Sequence, residues 1–173
     1  MNKTSIKILE YFVKEYVLEG YLKFLDVGSR VVVGQEEHSY YRDLFIRHGG
    51  TYIGLDVVEG NNVDVVSEPY NYPFEDDFFD VVVSSNTIEH VEYPWVLFRE
   101  MSRILKVGGF LCVIAPAKWH EHKYPIDTFR YYPDGMVALA KWAGLEVLEV
   151  KRVVSDKSHE ELTYLISRRS QGE

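Results

Sequence analysis

Two stretches, YPFEDDFFDVVVSSNTIEHV (72–91) and FREMSRILKVGGFLCVIAP (98–116), decide the fold. In the first, Phe79 to Ser84 carries three consecutive valines. An apolar run without alternation marks a strand covered on both faces. Pro94 then suits the first turn of a helix. Val96, Leu97, Met101, Ile104 and Leu105 recur along one side of that helix. Gly108-Gly109 is predicted to break it, with Phe110 to Ala115 as the next strand. A strand, a covering helix and a second apolar strand imply parallel pairing through a right-handed crossover.

The same alternation extends outward. A helix is predicted from Ile6 to Val17, opened by Thr4-Ser5 and closed by Gly20. Strands follow at Phe24–Val27, Tyr52–Val57 and Val63–Val66, with a helix over 38–48 between the first two. Downstream, a helix opens at Pro133 and ends before Gly144. Strands Leu145–Val154 and Leu162–Ser167 are joined by a short polar segment, which favours an antiparallel hairpin at one edge. The expected fold class is α/β: a doubly wound, mostly parallel seven-stranded sheet with an antiparallel edge hairpin. Such sheets bind ligands beyond the carboxyl ends of their strands, where strand order reverses.

Composition narrows the partners. The chain has 173 residues, long enough to bury a core, and a formal net charge of −8. Nucleic-acid binding draws its affinity from cations on phosphates, so no nucleic-acid partner is expected. No apolar run reaches transmembrane length, and the N-terminal residues lack a signal-peptide core, so no membrane contact and a cytoplasmic location are expected. The lone cysteine, Cys112, suits a reducing compartment and should be a buried strand residue. Oligomeric state leaves no trace in the residues. Aromatics gather between Tyr70 and Phe79 and between Trp119 and Tyr132, as pocket lining or as packing under loops.

Three acidic residues stand at or near the ends of the first three strands: Asp26, Asp56 and Glu68. A carboxylate after the second strand is placed to accept hydrogen bonds from ribose hydroxyls. One strand further, a carboxylate can accept from an adenine amino group, and one at the first turn can meet an ammonium. Gly28 lets the backbone approach a ligand closely.

FLDVG (24–28), YIGLDV (52–57) and the two stretches quoted first resemble the class I S-adenosylmethionine-dependent methyltransferases, in their small-molecule branch. PIDTFRYYPDGMVALAKWAGLEV (125–147) continues the resemblance more faintly. The resemblance implies S-adenosylmethionine as cofactor and methyl transfer to a small-molecule acceptor. It implies that Asp26, Gly28 and Ser29 lie near the methionine part and that Asp56 holds the ribose, with Val57 against the adenine. Glu68 would meet the adenine amino group, with Pro69 beside it. Asn86 and Thr87 would face the methionine and sulfonium, and His90 would sit one turn further on. The chain then reads as one domain over 1–173: an N-terminal helix (1–20), a cofactor-binding core (24–116), a substrate loop (117–132), and a C-terminal helix with the edge hairpin (133–169). The family pattern has glycines two and four residues after the first; here Arg30 and Val32 stand there, and the loop runs on through Val33 and Gly34.

Methyl transfer obliges no catalytic acid, but a hydroxyl or amine acceptor can need a base. His120 and His122, followed by Asp127 and Arg130, are the candidates after the fifth strand, with His90 as a third. Two histidines two residues apart are weak evidence for a metal, and none is expected. Two other readings stay open. A non-catalytic binding protein of the same fold fits the altered glycine loop. A nicotinamide-dependent oxidoreductase shares the fold but lacks G-x-G-x-x-G after the first strand.

Overall fold

The computed structural model describes residues 3–18, 20, 22–32, 39–154 and 160–170. Strands β1 (Lys23–Val27), β2 (Thr51–Asp56), β3 (Val65–Val66), β4 (Phe79–Ser85), β5 (Leu105–Lys118), β6 (Leu145–Val154) and β7 (Glu161–Arg169) form one sheet. Its order is β3-β2-β1-β4-β5-β7-β6. The first five strands are parallel, and β7 runs antiparallel between β5 and β6. This is the expected doubly wound sheet with an antiparallel hairpin, with β6 rather than β7 on the outside. Among the described residues, no helix is long and apolar enough to cross a membrane.

Alternating side chains on the central strands feed two cores. Leu25, Val82, Leu111 and Val113 pack with Phe98 and Met101 of helix α3 (Pro94–Ile104) and Met136 of helix α4 (Pro133–Trp142). Phe24, Val81, Val83 and Cys112 pack on the other side, with Phe12 of helix α1 (Lys3–Tyr16) and Phe45 of helix α2 (Ser39–Arg47). That two-sided burial is why the valine run of β4 shows no polar alternation. Cys112 is buried, as its strand position suggests. Phe74, Phe78 and Phe79 stack among themselves against the first core, so these loop aromatics serve packing.

Three boundaries differ from the sequence expectation. Helix α3 ends at Ile104, and Gly108-Gly109 lie inside β5. Leu105 already pairs with Phe79, and the next register point is Phe110 with Val81, so the residues between bulge out of the ladder. Gly108 makes that excursion possible with φ of +83°. Strand β3 shrinks to Val65–Val66, because Val63 N instead closes a turn onto Gly60 O. The expected start of α2 at His38, the loop through Val33 and Gly34, and most of the hairpin joint (155–159) lie outside the described residues.

Met101 is fully buried between the sheet and α4. Met101→Ala should cost about 2–5 kcal/mol, transfer and cavity terms together. The exposed Trp142→Ala should stay within about 0.5 kcal/mol. Urea unfolding, read as a shift in midpoint at constant slope, checks both.

Candidate functional site

The carboxyl ends of β1, β2 and β4 open into a cleft of about 390 Å³. The turn after β1 shapes its floor: Gly28 N and Ser29 N both donate to Leu55 O, at 2.8 and 3.1 Å. Gly28 has φ of +81°, and a Cβ there would run into the Thr87 side chain. Only glycine lets these two segments meet. At the β2 end, Asp56 accepts backbone N–H bonds from Arg30 (3.1 Å), Val57 (2.8 Å) and Val58 (3.3 Å), which fix its carboxylate at the rim. Asn86 follows β4 in the left-handed region at φ of +52°. Its amide donates to Ser5 Oγ and Ser85 Oγ, while its N–H donates to Ile114 O.

Six of the nine residues assigned to the cofactor share this cleft: Gly28, Asp56, Val57, Pro69, Asn86 and Thr87. The other three are not in its lining. Asp26 is buried and turned away, accepting from Tyr52 Oη at 2.7 Å. Burial pushes its carboxyl up to about 7, and the Tyr52 hydrogen bond only partly offsets this. Ser29 is fully buried, donating to Asn62 O at 3.1 Å. Asn62 in turn donates to Ser29 O and to Tyr52 Oη, so Asp26 and Ser29 belong to one internal polar network. Glu68 is exposed beside Pro69. Arg30, at a position where the family pattern has glycine, lines the cleft with its stem across Gly60, and its buried Nε has no hydrogen-bond partner among the described residues.

The opposite wall comes from the segment after β5. Asp127, its side chain 2% exposed, accepts both guanidinium arms of Arg130 at 2.6 and 2.7 Å and the His122 N–H at 2.7 Å. The Arg130 guanidinium holds the Asp127 carboxyl well below the usual carboxylate range. Arg130 also donates to the carbonyls of Trp119 and His120. Thr128 bonds to Glu89 O, Tyr131 Oη donates to Ile88 O, and His90 Nδ1 donates to Ile126 O at 2.7 Å. These contacts press the loop onto the 3-10 turn Ile88–His90. Of the three histidines, His90 and His122 line the cleft, with ring centroids 4.9 Å apart, and exposed His120 does not. Burial lowers the His90 pKa and pushes the Glu89 carboxyl up to about 8. The sequence did not mark Glu89, Arg30, Tyr70, Tyr72 or Tyr124 as site residues, yet all but Glu89 line the cleft, and Glu89 lies buried behind it with Oε1 3.9 Å from Nε2 of the cleft-lining His90. The adjacency of Glu89 to His90 was the available signal.

A model of the methyltransferase domain family matches residues 33–113. An uncharacterized methyltransferase of Mycobacterium leprae is 34% identical over 107 residues, 55% of this chain and 37% of that protein. The central segment of the chain is thus similar to the methyltransferase domain family. The chloroplastic 2-methyl-6-phytyl-1,4-hydroquinone methyltransferase 1 of Oryza sativa is 26% identical over 139 residues, covering 78% of this chain and 39% of that protein. The chain thus spans about two fifths of the length of these curated relatives. The crystal structure of an S-adenosylmethionine-dependent methyltransferase from Aquifex aeolicus superimposes on this chain with a TM-score of 0.69 at 21% identity. It covers 98% of this chain and 99% of that one, a likeness that carries the fold alone.

The buried Asp26 yields a pH prediction. The folded state keeps its proton until pH about 7, whereas the unfolded chain releases it near the ordinary aspartate value of 3.8. Between those limits the native state holds more protons, so this group makes stability fall as pH rises. Asp26→Asn removes that slope. Its stability relative to wild type should therefore rise by about 2–4 kcal/mol from pH 4 to pH 7 and level off above. Urea midpoints across that range decide it, and a gap independent of pH would refute it.

Proposed function

We propose that this domain transfers a methyl group from S-adenosylmethionine to a small-molecule acceptor. One observation carries the reading: a single cleft joins the ribose-type carboxylate of Asp56, the glycine turn at Gly28 and the Asn86-Thr87 segment to a histidine-bearing wall. The residues fit the cofactor on this structure's own terms. Gly28 has no room for a side chain, so its backbone stays bare toward the cleft, and Arg30 Nε is a buried donor awaiting an acceptor.

When bound, the cofactor supplies an electrophilic methyl carbon on a sulfonium. Asp56 would hold the ribose hydroxyls, with Val57 and Pro69 against the base and Glu68 reaching its amino group from the rim. Asn86 and Thr87 would border the methionine part. Asp26 and Ser29 would act as positioning residues through Tyr52 and Asn62 rather than by contact. His90 and His122 would face the acceptor, and the carbonyl of His120 would hold the His122 ring. The apolar side chains and the Tyr70 and Tyr124 rings in the wall exclude water and suit a compact organic acceptor. The net charge of −8 disfavours a polyanionic one, so nucleic acid is left out. The lone, buried Cys112 is compatible with the cytoplasm.

Arg30, standing inside the cleft, favours a second reading: a methyltransferase-fold protein that binds without turnover. S-adenosylhomocysteine separates the outcomes. At a hundred times its dissociation constant it should stabilise the protein by about 2.7 kcal/mol, seen as a higher Tm. Asp56→Ala should abolish the shift, and His122→Ala should leave it intact while removing turnover. No shift at millimolar ligand in the wild type would sink the cofactor reading. A shift with no methyl transfer to any of a panel of hydroxyl and amine acceptors would favour the binding protein.

A further inference from the structure

Three metal-ligating side chains meet at the acceptor end of the cleft. One ligand atom each from Glu89, His90 and His122 lie within 4.8 Å of one another. Glu89 Oε1 stands 3.9 Å from His90 Nε2. The Glu89 side chain is 1% exposed, and its Oε2 has no hydrogen-bond partner among the described residues. A buried carboxylate oxygen without a partner is costly to maintain, and a cation relieves that cost directly.

The two rings are held as metal-binding histidines are held. His90 Nδ1 lies 2.7 Å from Ile126 O, and His122 Nδ1 lies 3.1 Å from His120 O. A carbonyl oxygen only accepts, so each neutral ring carries its hydrogen on Nδ1 and keeps a lone pair on Nε2. An outer hydrogen bond of this kind sets the tautomer and orients the ring of a ligating histidine. Asp127 adds a further support: its Oδ2 is 3.7 Å from His122 Nδ1 and accepts the His122 backbone N–H.

We infer that Glu89, His90 and His122 form a binding site for a divalent transition-metal ion of the zinc type, open on the cleft side to an oxygen ligand. Two imidazoles and one carboxylate are a donor set suited to zinc with a further position free. Tetrahedral ligand atoms about 2.1 Å from zinc stand roughly 3.4 Å apart. The separations therefore have to close by at most roughly 1.4 Å, within reach of small rotations of the half-buried His122. The open position would take water or the oxygen of a hydroxyl-bearing acceptor, so the two histidines would serve as ligands and not as free bases. The inference rests on the proposed function only for the statement that the acceptor enters here. Binding of the ion does not depend on it.

The test uses the full chain, stripped with a chelator and titrated with Zn²⁺ and, for its visible absorption, Co²⁺. One equivalent should bind, with Co²⁺ bands of nitrogen and oxygen coordination. Outer partners alone are worth about 10–100-fold in metal affinity. His90→Ala and His122→Ala should therefore each weaken binding more than tenfold. Glu89→Gln should do the same, and the two histidine variants keep the test decisive if that core substitution fails to fold. His120→Ala should bind as the wild type does. Absence of stoichiometric binding, or binding kept in His90→Ala but lost in His120→Ala, overturns the site. Zinc binding without any S-adenosylhomocysteine shift would leave the metal site standing and remove the cofactor reading. The converse result would remove the metal site alone.

Discussion

The pairing of β1 with β4 is the constraint on which the molecule turns. Phe24, Leu25 and Asp26 sit opposite Val81, Val82 and Val83, which places strands from distant parts of the chain side by side. From β1 the chain builds outward to β2 and β3, and from β4 it builds the other way to β5 and the hairpin. The ends of β1 and β4 diverge toward opposite wings of the sheet, and the cleft lies where they part. Ser84 Oγ donating to Val27 O and Asp80 accepting from Lys23 N fasten the two strands beyond their ladder. Every residue in the nucleoside half of the cleft hangs from a strand end set by that pairing.

The two halves of the cleft are stabilised by different means. On the β1–β2 side, a buried network runs from Asp26 through Tyr52 and Asn62 to Ser29, and Arg42 closes it by donating to Asn62 and lying 4.5 Å over the Tyr52 ring. Residues that would otherwise face a ligand are there spent on holding the turn. On the wall built after β5 a bidentate pair, Arg130 with Asp127, fixes an irregular segment that has no ladder of its own. A half-buried bidentate pair of this geometry favours one conformation, because breaking it leaves the enclosed Asp127 carboxylate without its cation. It is this pair that brings the segment carrying His122 against His90 and Glu89.

Much of the fold was legible because burial on two faces writes itself into composition. The valine runs, Pro94 and Pro133 at helix starts, and glycines after helices each reflect a local rule, and the elements they mark are present. Gly108-Gly109 misled because glycine marks any departure from regular geometry. Whether it ends a helix or lets a strand bulge depends on what the neighbouring strand pairs with. Asp56 and Gly28 were legible as residues of one cleft because strand ends in such a sheet converge, and Asn86, which shares the cleft, was marked by the family resemblance alone. Asp26 and Ser29 stand at equally suggestive positions, yet Tyr52 and Asn62 claim their polar atoms, and no spacing rule reveals that.

The amino-acid sequence by itself determined the order of elements, the two-faced sheet and the strand ends at which a nucleoside would be met. These follow from periodicity and from residues with restricted backbone freedom, both of which act over a few positions. Tertiary structure alone decided which polar groups are free. Glu89 became a buried carboxyl with an unpartnered oxygen only when Thr128 and Tyr131 drew the later loop over its turn. His122 came beside His90 across thirty-two positions of chain because Asp127 and Arg130 hold the path between them. Contacts of that range depend on the closed shape of the molecule, and no local pattern encodes them.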